Sequence, residues 1–171
     1  FLKEITLNDD KYIEMLQRFV GMCLVGEVVE ERAFIFYGHG RNGKTVFFNM
    51  IAAILGDYAG VLPAEMFTGD ATPSQMAMLK GLRFAYASET SDGDRLRMAQ
   101  VKKMSERSKI TAARKYGQEF EFYSSHCLAW ATNHKPRVRD TSIGTWRRLT
   151  LMPGLANISA ESADPLREAK L

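Results

Sequence analysis

Residues 33–45 read Ala33-Phe34-Ile35-Phe36-Tyr37-Gly38-His39-Gly40-Arg41-Asn42-Gly43-Lys44-Thr45. The first five carry no charge and follow Glu30, Glu31 and Arg32, the pattern of a strand buried on both faces. The next eight satisfy Gly-x-x-x-x-Gly-Lys-Thr, and Val46 to Leu55 continues with helical periodicity up to Gly56, a residue suited to ending a helix. Strand, glycine-rich turn and helix in this order make a phosphate cradle. Backbone N–H groups of the turn converge on phosphate oxygens, and the helix dipole adds to the attraction. On this reading Gly38, Gly40, Arg41, Asn42, Gly43, Lys44, Thr45 and Val46 bind a nucleotide. Lys44 reaches the β and γ phosphates and the Thr45 hydroxyl ligates Mg²⁺, so ATP and Mg²⁺ are the expected cofactors. His39 occupies a variable position of the motif and receives no role.

Upstream of this stretch, Asp9 or Asp10 can cap a helix whose apolar positions Ile13, Leu16, Phe19, Val20, Cys23 and Leu24 fall three and four apart, closed by Gly26. Downstream, Thr72 and Pro73 start a second helix that runs through Met76 and Leu79 to Gly81. Arg83 to Glu89 reads as a buried strand ending in a carboxylate, and Asp94 caps a basic helix that reaches about Ser105. Lys109 to Lys115 and Glu119 to Tyr123 alternate around Tyr116-Gly117-Gln118 as a β-hairpin. Cys127 to Thr132 is a further buried strand, and Arg148 to Met152 a short last one before Pro153. Strands alternating with helices predict an α/β fold with a mostly parallel, helix-covered sheet.

Three further positions fit nucleotide chemistry. Glu89 ends a strand expected to lie beside the strand of the glycine-rich turn, where its carboxylate could serve both metal and attacking water; the alternative is an exposed strand-end glutamate. Asn133, at the next strand end, could hydrogen-bond the γ-phosphate or the water, or form an Asx turn into Lys135-Pro136. Arg147 and Arg148 follow Trp146, and an arginine offered to a neighbour's γ-phosphate accelerates turnover by orders of magnitude. Their alternative is a surface pair beside a buried tryptophan.

Composition narrows the class. A chain of 171 residues supports one core, and 46% apolar with 25% charged residues is ordinary for a globular protein. Cys23 and Cys127 have neither disulfide-framework nor zinc spacing and read as buried thiols. No apolar run reaches the roughly 20 residues of a membrane span. The net charge of +3 is unevenly spread. Residues 1–93 hold 8 basic and 12 acidic side chains, whereas 94–150 hold 13 and 5. The middle block is where an anionic polymer would sit, the alternative being a solvated helix face. Because it starts at Phe1 and stops at Leu171 within a polar stretch, the chain is expected to be a piece of a longer protein.

With these residues in place, the chain resembles the superfamily 3 helicases, specifically the helicase domain of phage and plasmid primase-helicases and their poxvirus-type relatives. The resemblance is carried by Leu16 to Gly21, by Gly40 to Thr45 as Walker A, by Ala87-Ser88-Glu89-Thr90 as Walker B and by Val101 to Met104. It continues with Ala131-Thr132-Asn133-His134-Lys135-Pro136 as sensor 1 and Trp146-Arg147-Arg148-Leu149 as the arginine-finger segment. It implies an AAA+-type P-loop ATPase over 33–171, truncated at its C-terminus, with 1–32 as a leading helix and linker ending an upstream region. The implied machine is a homo-oligomer, a hexamer, that hydrolyses ATP at subunit interfaces and draws single-stranded DNA through its channel. It would work in the cytoplasm of a bacterial or phage-infected cell, linked to an upstream primase region and other replication proteins, away from membranes. Lys44, Glu89, Asn133 and Arg148 become the catalytic set, and Thr45 and Glu89 the magnesium ligands. The hairpin becomes the DNA grip, with Lys102, Lys103, Lys109, Arg114, Lys115 and Tyr116 as DNA contacts, salt-sensitive and sequence-blind.

The chain departs from the family at Glu106-Arg107-Ser108, where a Gly-Gly-Asp turn is usual, at Ala113, where an arginine is expected, and at Pro153-Gly154 in place of Pro-Phe. The last change predicts poorer packing of the final strand. Competing readings are a P-loop kinase or other NTPase uncoupled from DNA, and a DNA-binding assembly module with a decayed ATPase.

Overall fold

The computed structural model describes residues 1–88, 95–140 and 142–159. In chain order the elements are α1 (Leu2–Ile5), α2 (Asp10–Val25), β1 (Ala33–Tyr37), α3 (Lys44–Leu55), a 3-10 turn (Gly56–Tyr58), β2 (Ala59–Val61), α4 (Glu65–Thr68) and α5 (Pro73–Ala77). They continue with β3 (Phe84–Ser88), α6 (Met98–Ser105), β4 (Lys109–Ala113), β5 (Glu119–Tyr123), β6 (Cys127–Thr132), α7 (Ile143–Trp146) and β7 (Leu149–Pro153). Strands β2-β3-β6-β1-β7 form one sheet in that order, every neighbouring pair parallel, and β4-β5 form a separate antiparallel hairpin.

Strand alternation sorts the core onto two faces. Phe34, Phe36, Phe84 and Tyr86 point to one side, against Leu16, Phe19 and Cys23 of α2 and Phe47, Phe48 and Ile51 of α3. Phe19 sits 4.8 Å from Phe34 and 5.3 Å from Phe36 between ring centroids, so the leading helix is built into the core of the sheet. Ala33, Ile35, Ala85, Ala87 and Trp130 point to the other side, against α4, α5, α6 and the inner hairpin face of Ile110 and Ala112. Phe67 stacks on Trp130 at 5.3 Å. All six residues of β6 are buried, which is why this run of small and apolar side chains takes the centre of the sheet.

Local signals held where capping chemistry was explicit. Asp9 accepts from the N–H groups of Lys11 and Tyr12 at the start of α2, and Gly26 ends it in the left-handed conformation at φ 75°. Thr72 and Gln75 cap α5 reciprocally, but the helix stops at Ala77 instead of reaching Gly81 and gives way to turns. Helix α6 begins at Met98 with Arg97 at the cap position, not at Asp94, which lies outside the described residues. The first hairpin strand ends at Ala113, leaving Arg114 and Lys115 in the turn, and β7 starts at Leu149. The sequence pattern does not show β2, α1, α4 and α7; each spans four residues or fewer, too short for periodicity to register.

Candidate functional site

The glycine-rich turn lies at the C-terminal end of β1, and its shape depends on residues that tolerate positive φ. Gly38 stands at φ 147°, Arg41 at 63° and Gly43 at 82°, where a side chain other than glycine is strained in most cases. Buried Asn42 closes the turn, its Nδ2 donating to the His39 carbonyl at 2.6 Å. Lys44 Nζ folds inward, donating to the Gly38 carbonyl at 2.6 Å and to Asn42 Oδ1 at 2.9 Å. Burial lowers the Lys44 ammonium to about 8, because the charged form loses water without gaining an anion. Thr45 is exposed and Val46 half-buried in the first turn of α3.

Sequence-distant residues brace this turn. The Arg41 carbonyl accepts from Ile158 N–H at 2.8 Å, and the Tyr37 carbonyl from Gly154 N–H at 2.7 Å. Tyr12 of α2 donates to the Pro153 carbonyl at 2.7 Å, and a side chain at Gly43 would collide with Ile5. Gly154 explains the departure at Pro153-Gly154: a Cβ there would strike the Asn42 amide, so the missing side chain makes room for the turn, and the neighbouring Met152 stays fully buried. Nothing in the sequence flags Ile5, Tyr12 or Ile158, and Gly154 stands out there only as a departure from the family pattern, since their partnership with the turn arises only in three dimensions.

A cavity of about 460 Å³ opens beside the turn, lined by Tyr37, Gly38, His39, Gly40, Asn133, His134 and Lys135 and by 153–157. Asn133, just after β6, therefore lines the same cavity as the glycine-rich turn. The turn after β6 is closed by Thr132, whose hydroxyl donates to the His134 carbonyl at 3.0 Å, rather than by an Asx turn of Asn133. The strand carrying Glu89 is not beside β1, contrary to expectation: β6 lies between them, pairing Tyr37 with Thr132 on one flank and Ser88 with Ala131 on the other. Parallel strands joined by helical crossovers need not be spatial neighbours, and the most uniformly buried one takes the middle. Glu89 itself lies outside the described residues.

Arg148 stands at the opposite end of the sheet, just before β7, a strand length of roughly 15 Å from the glycine-rich turn. Its guanidinium is held by Glu31 at 3.4 Å and Glu106 at 3.3 Å, and its side chain is only 19% exposed. Arg147 is exposed next to it, beside a Trp146 that is half exposed rather than buried. Both arginines line a cavity of about 740 Å³ with Arg32, Lys102, Arg107 and Asp140.

The expected DNA contacts separate into two groups. Arg114, Lys115 and Tyr116 share the hairpin tip, where Tyr116 is 97% exposed with Lys115 Nζ 5.3 Å from its ring centre. Lys109 is engaged by Glu121 at 3.0 Å, and Lys102, on α6, pairs with Glu106 at 3.6 Å and faces the larger cavity. Lys103 is exposed on α6. Glu119 and Glu121 lie on the exposed face of β5, so positive charge is concentrated at the tip. Among the described residues, no helix is long and apolar enough to cross a membrane.

Comparison with known proteins gives a family, relatives and a fold. A model described as "Family of unknown function (DUF5906)" matches residues 36–148. A putative helicase of Acanthamoeba polyphaga mimivirus is 26% identical over 167 residues, covering 95% of this chain and 17% of its own length. A putative primase of African swine fever virus is 29% identical over 126 residues, covering 70% of this chain and 13% of its own length. The chain thus spans less than a fifth of these relatives. The apo structure of the NrS-1 C-terminal region superposes with a TM-score of 0.73 at 16% identity, over 99% of this chain and 41% of that one, a likeness of fold.

Proposed function

The chain belongs to the DUF5906 family, and from that premise we propose that it is the ATP-dependent motor part of a replicative primase-helicase. ATP is hydrolysed at interfaces between copies, and single-stranded DNA moves along the hairpin tips. The observation that carries this reading is the braced glycine-rich turn with Lys44 turned into it, opening on the cavity that also receives Asn133. Arriving phosphate oxygens would replace the Gly38 carbonyl and Asn42 amide as partners of Lys44. A charge that burial penalises thereby gains an anion. Thr45 and Glu89 would hold Mg²⁺, which neutralises charge developing on the phosphates. Glu89 would orient and deprotonate the water, and Asn133 would hold it or the γ-phosphate.

Arg148 is the arginine the resemblance nominates to act across the interface. A second assignment is favoured by its neighbour's freedom: Arg147 is exposed, whereas Arg148 is tied to two carboxylates. The test is ATP hydrolysis against protein concentration, with and without single-stranded DNA, for the parent chain and Glu89→Gln, Arg147→Ala and Arg148→Ala. Turnover rising steeply with concentration, stimulated by DNA and lost in Glu89→Gln with nucleotide binding retained, is the expected result. Turnover linear in protein and indifferent to DNA would point to a self-contained NTPase instead.

A further inference from the structure

We propose that His39 and His134 form a phosphate-contact pair at the mouth of the smaller cavity, receiving the terminal phosphate of a nucleoside triphosphate together with a proton. The inference rests on the phosphate-cradle reading of Gly38 to Thr45. Two loops that share no sequence signal bring the rings together edge-on, 6.1 Å apart between centroids and 89° between planes. Each is presented from a fixed backbone. The His39 carbonyl accepts from Asn42 Nδ2, and the His134 N–H and carbonyl both bond to the Thr132 hydroxyl. Both residues are exposed, both line the cavity, and among the described residues neither ring makes a hydrogen bond.

The described ionisable groups that line the cavity with the pair are Tyr37 on β1 and Lys135, whose ammonium lies 5.0 Å over the Tyr37 ring; 153–157 contributes none, and the cations Arg41 and Lys44 stand further along the glycine-rich turn, outside the lining. No described carboxylate lines the cavity. Imidazole is the side chain that gains charge between pH 8 and 5. Without an anion, two imidazolium rings would repel each other and the neighbouring cations; a phosphate between them reverses that balance and favours their protonated forms. Protonation and phosphate binding are therefore linked in the same direction, and affinity is lost as pH rises and the rings give up their protons. A diphosphate leaves the γ position empty and is less sensitive.

The experiment is calorimetry at pH 6, 7 and 8 in buffers of different ionisation enthalpy, with a non-hydrolysable ATP analogue, ADP and inorganic tripolyphosphate as probes. The expected result is net proton uptake with the triphosphates and an affinity gain of about tenfold from pH 8 to pH 6, one unit of linkage. His39→Asn and His134→Asn each flatten that slope; the double variant flattens it less than additively if the rings act as a pair, the expected result, and additively if they act singly, which would overturn the pair. Triphosphate binding without proton uptake, or a slope that survives both substitutions, would overturn the pair while leaving the cradle intact. Tripolyphosphate bound with proton uptake but no nucleotide bound would instead remove the ATP reading and keep the anion site. Binding of no probe would remove both.

Discussion

His126 shows how one buried side chain ties stability to pH. It lies fully buried between the hairpin and β6, with Nε2 facing the Met104 carbonyl at 2.9 Å and no described partner for Nδ1. Burial pushes the imidazole from 6.5 down to about 4, the Met104 carbonyl opposing only in part. The folded value is below the unfolded one, so the unfolded chain takes up the proton first as pH falls. Stability is therefore full above about pH 6.5, declines below it, and has lost roughly 3 kcal/mol by pH 4. Urea denaturation at pH 7.5, 6 and 4.5 should show this decline, and His126→Gln should remove most of its slope. An unchanged slope in that variant would assign the acid sensitivity to other groups.

At the scale of elements, the hairpin combines a fixed base with an exposed tip. Arg107 donates through its guanidinium to the carbonyls of Val28 and Val29, and its N–H to Glu31, while Glu106 pairs with Arg148 and Lys102. The departure at Glu106-Arg107-Ser108 thus fastens the hairpin's base to the segment before β1. At the tip, Tyr116 adopts φ 63° and projects almost wholly into solvent beside Arg114 and Lys115. Tyr116→Ala should weaken single-stranded DNA binding by about 1–3 kcal/mol if a base stacks there. Arg114→Ala with Lys115→Ala should lower the slope of log affinity against log salt by about 1.4, the value for two phosphate contacts. Fluorescence anisotropy across a salt series measures both, and melting temperatures should barely move because the tip buries nothing. A salt slope left intact would place DNA elsewhere, with exposed Lys103 as the next residue to replace.

The whole molecule is polar in arrangement: the glycine-rich turn lies at one end of the parallel sheet and the Arg147–Arg148 pair at the other. Neither arginine can reach the glycine-rich turn of its own chain across a strand length, so action of either on a phosphate bound at that turn requires head-to-tail packing of copies. Such heterologous contacts close into rings when the rotation permits. This leads to a complementation test. Lys44→Ala and Arg147→Ala chains, each inactive alone, should regain part of the parent ATPase rate when mixed, because one supplies an intact turn and the other an intact arginine. Mixtures containing Arg148→Ala should regain activity instead if that arginine acts across the interface. No regain in either mixture would argue against a shared site.

Much of this protein was legible in the order of its residues. Uncharged runs between turn residues marked β1, β3 and β6, because a strand covered on both faces tolerates no charge. Cap and stop chemistry marked α2, and the spacing of Gly38, Gly43 and Lys44 marked the glycine-rich turn between β1 and α3, because these effects act within a few residues. Strand order was not legible: β6 between β1 and β3 is a choice among crossovers that buries all six of its residues, a property of the assembled sheet. Nor was the engagement of Arg148 by Glu31 and Glu106, the room Gly154 leaves for Asn42, or the meeting of His39 with His134. Those depend on side chains 40 to more than 100 positions apart, and only tertiary packing brings such groups within the few ångströms over which charge, shape and hydrogen bonding act.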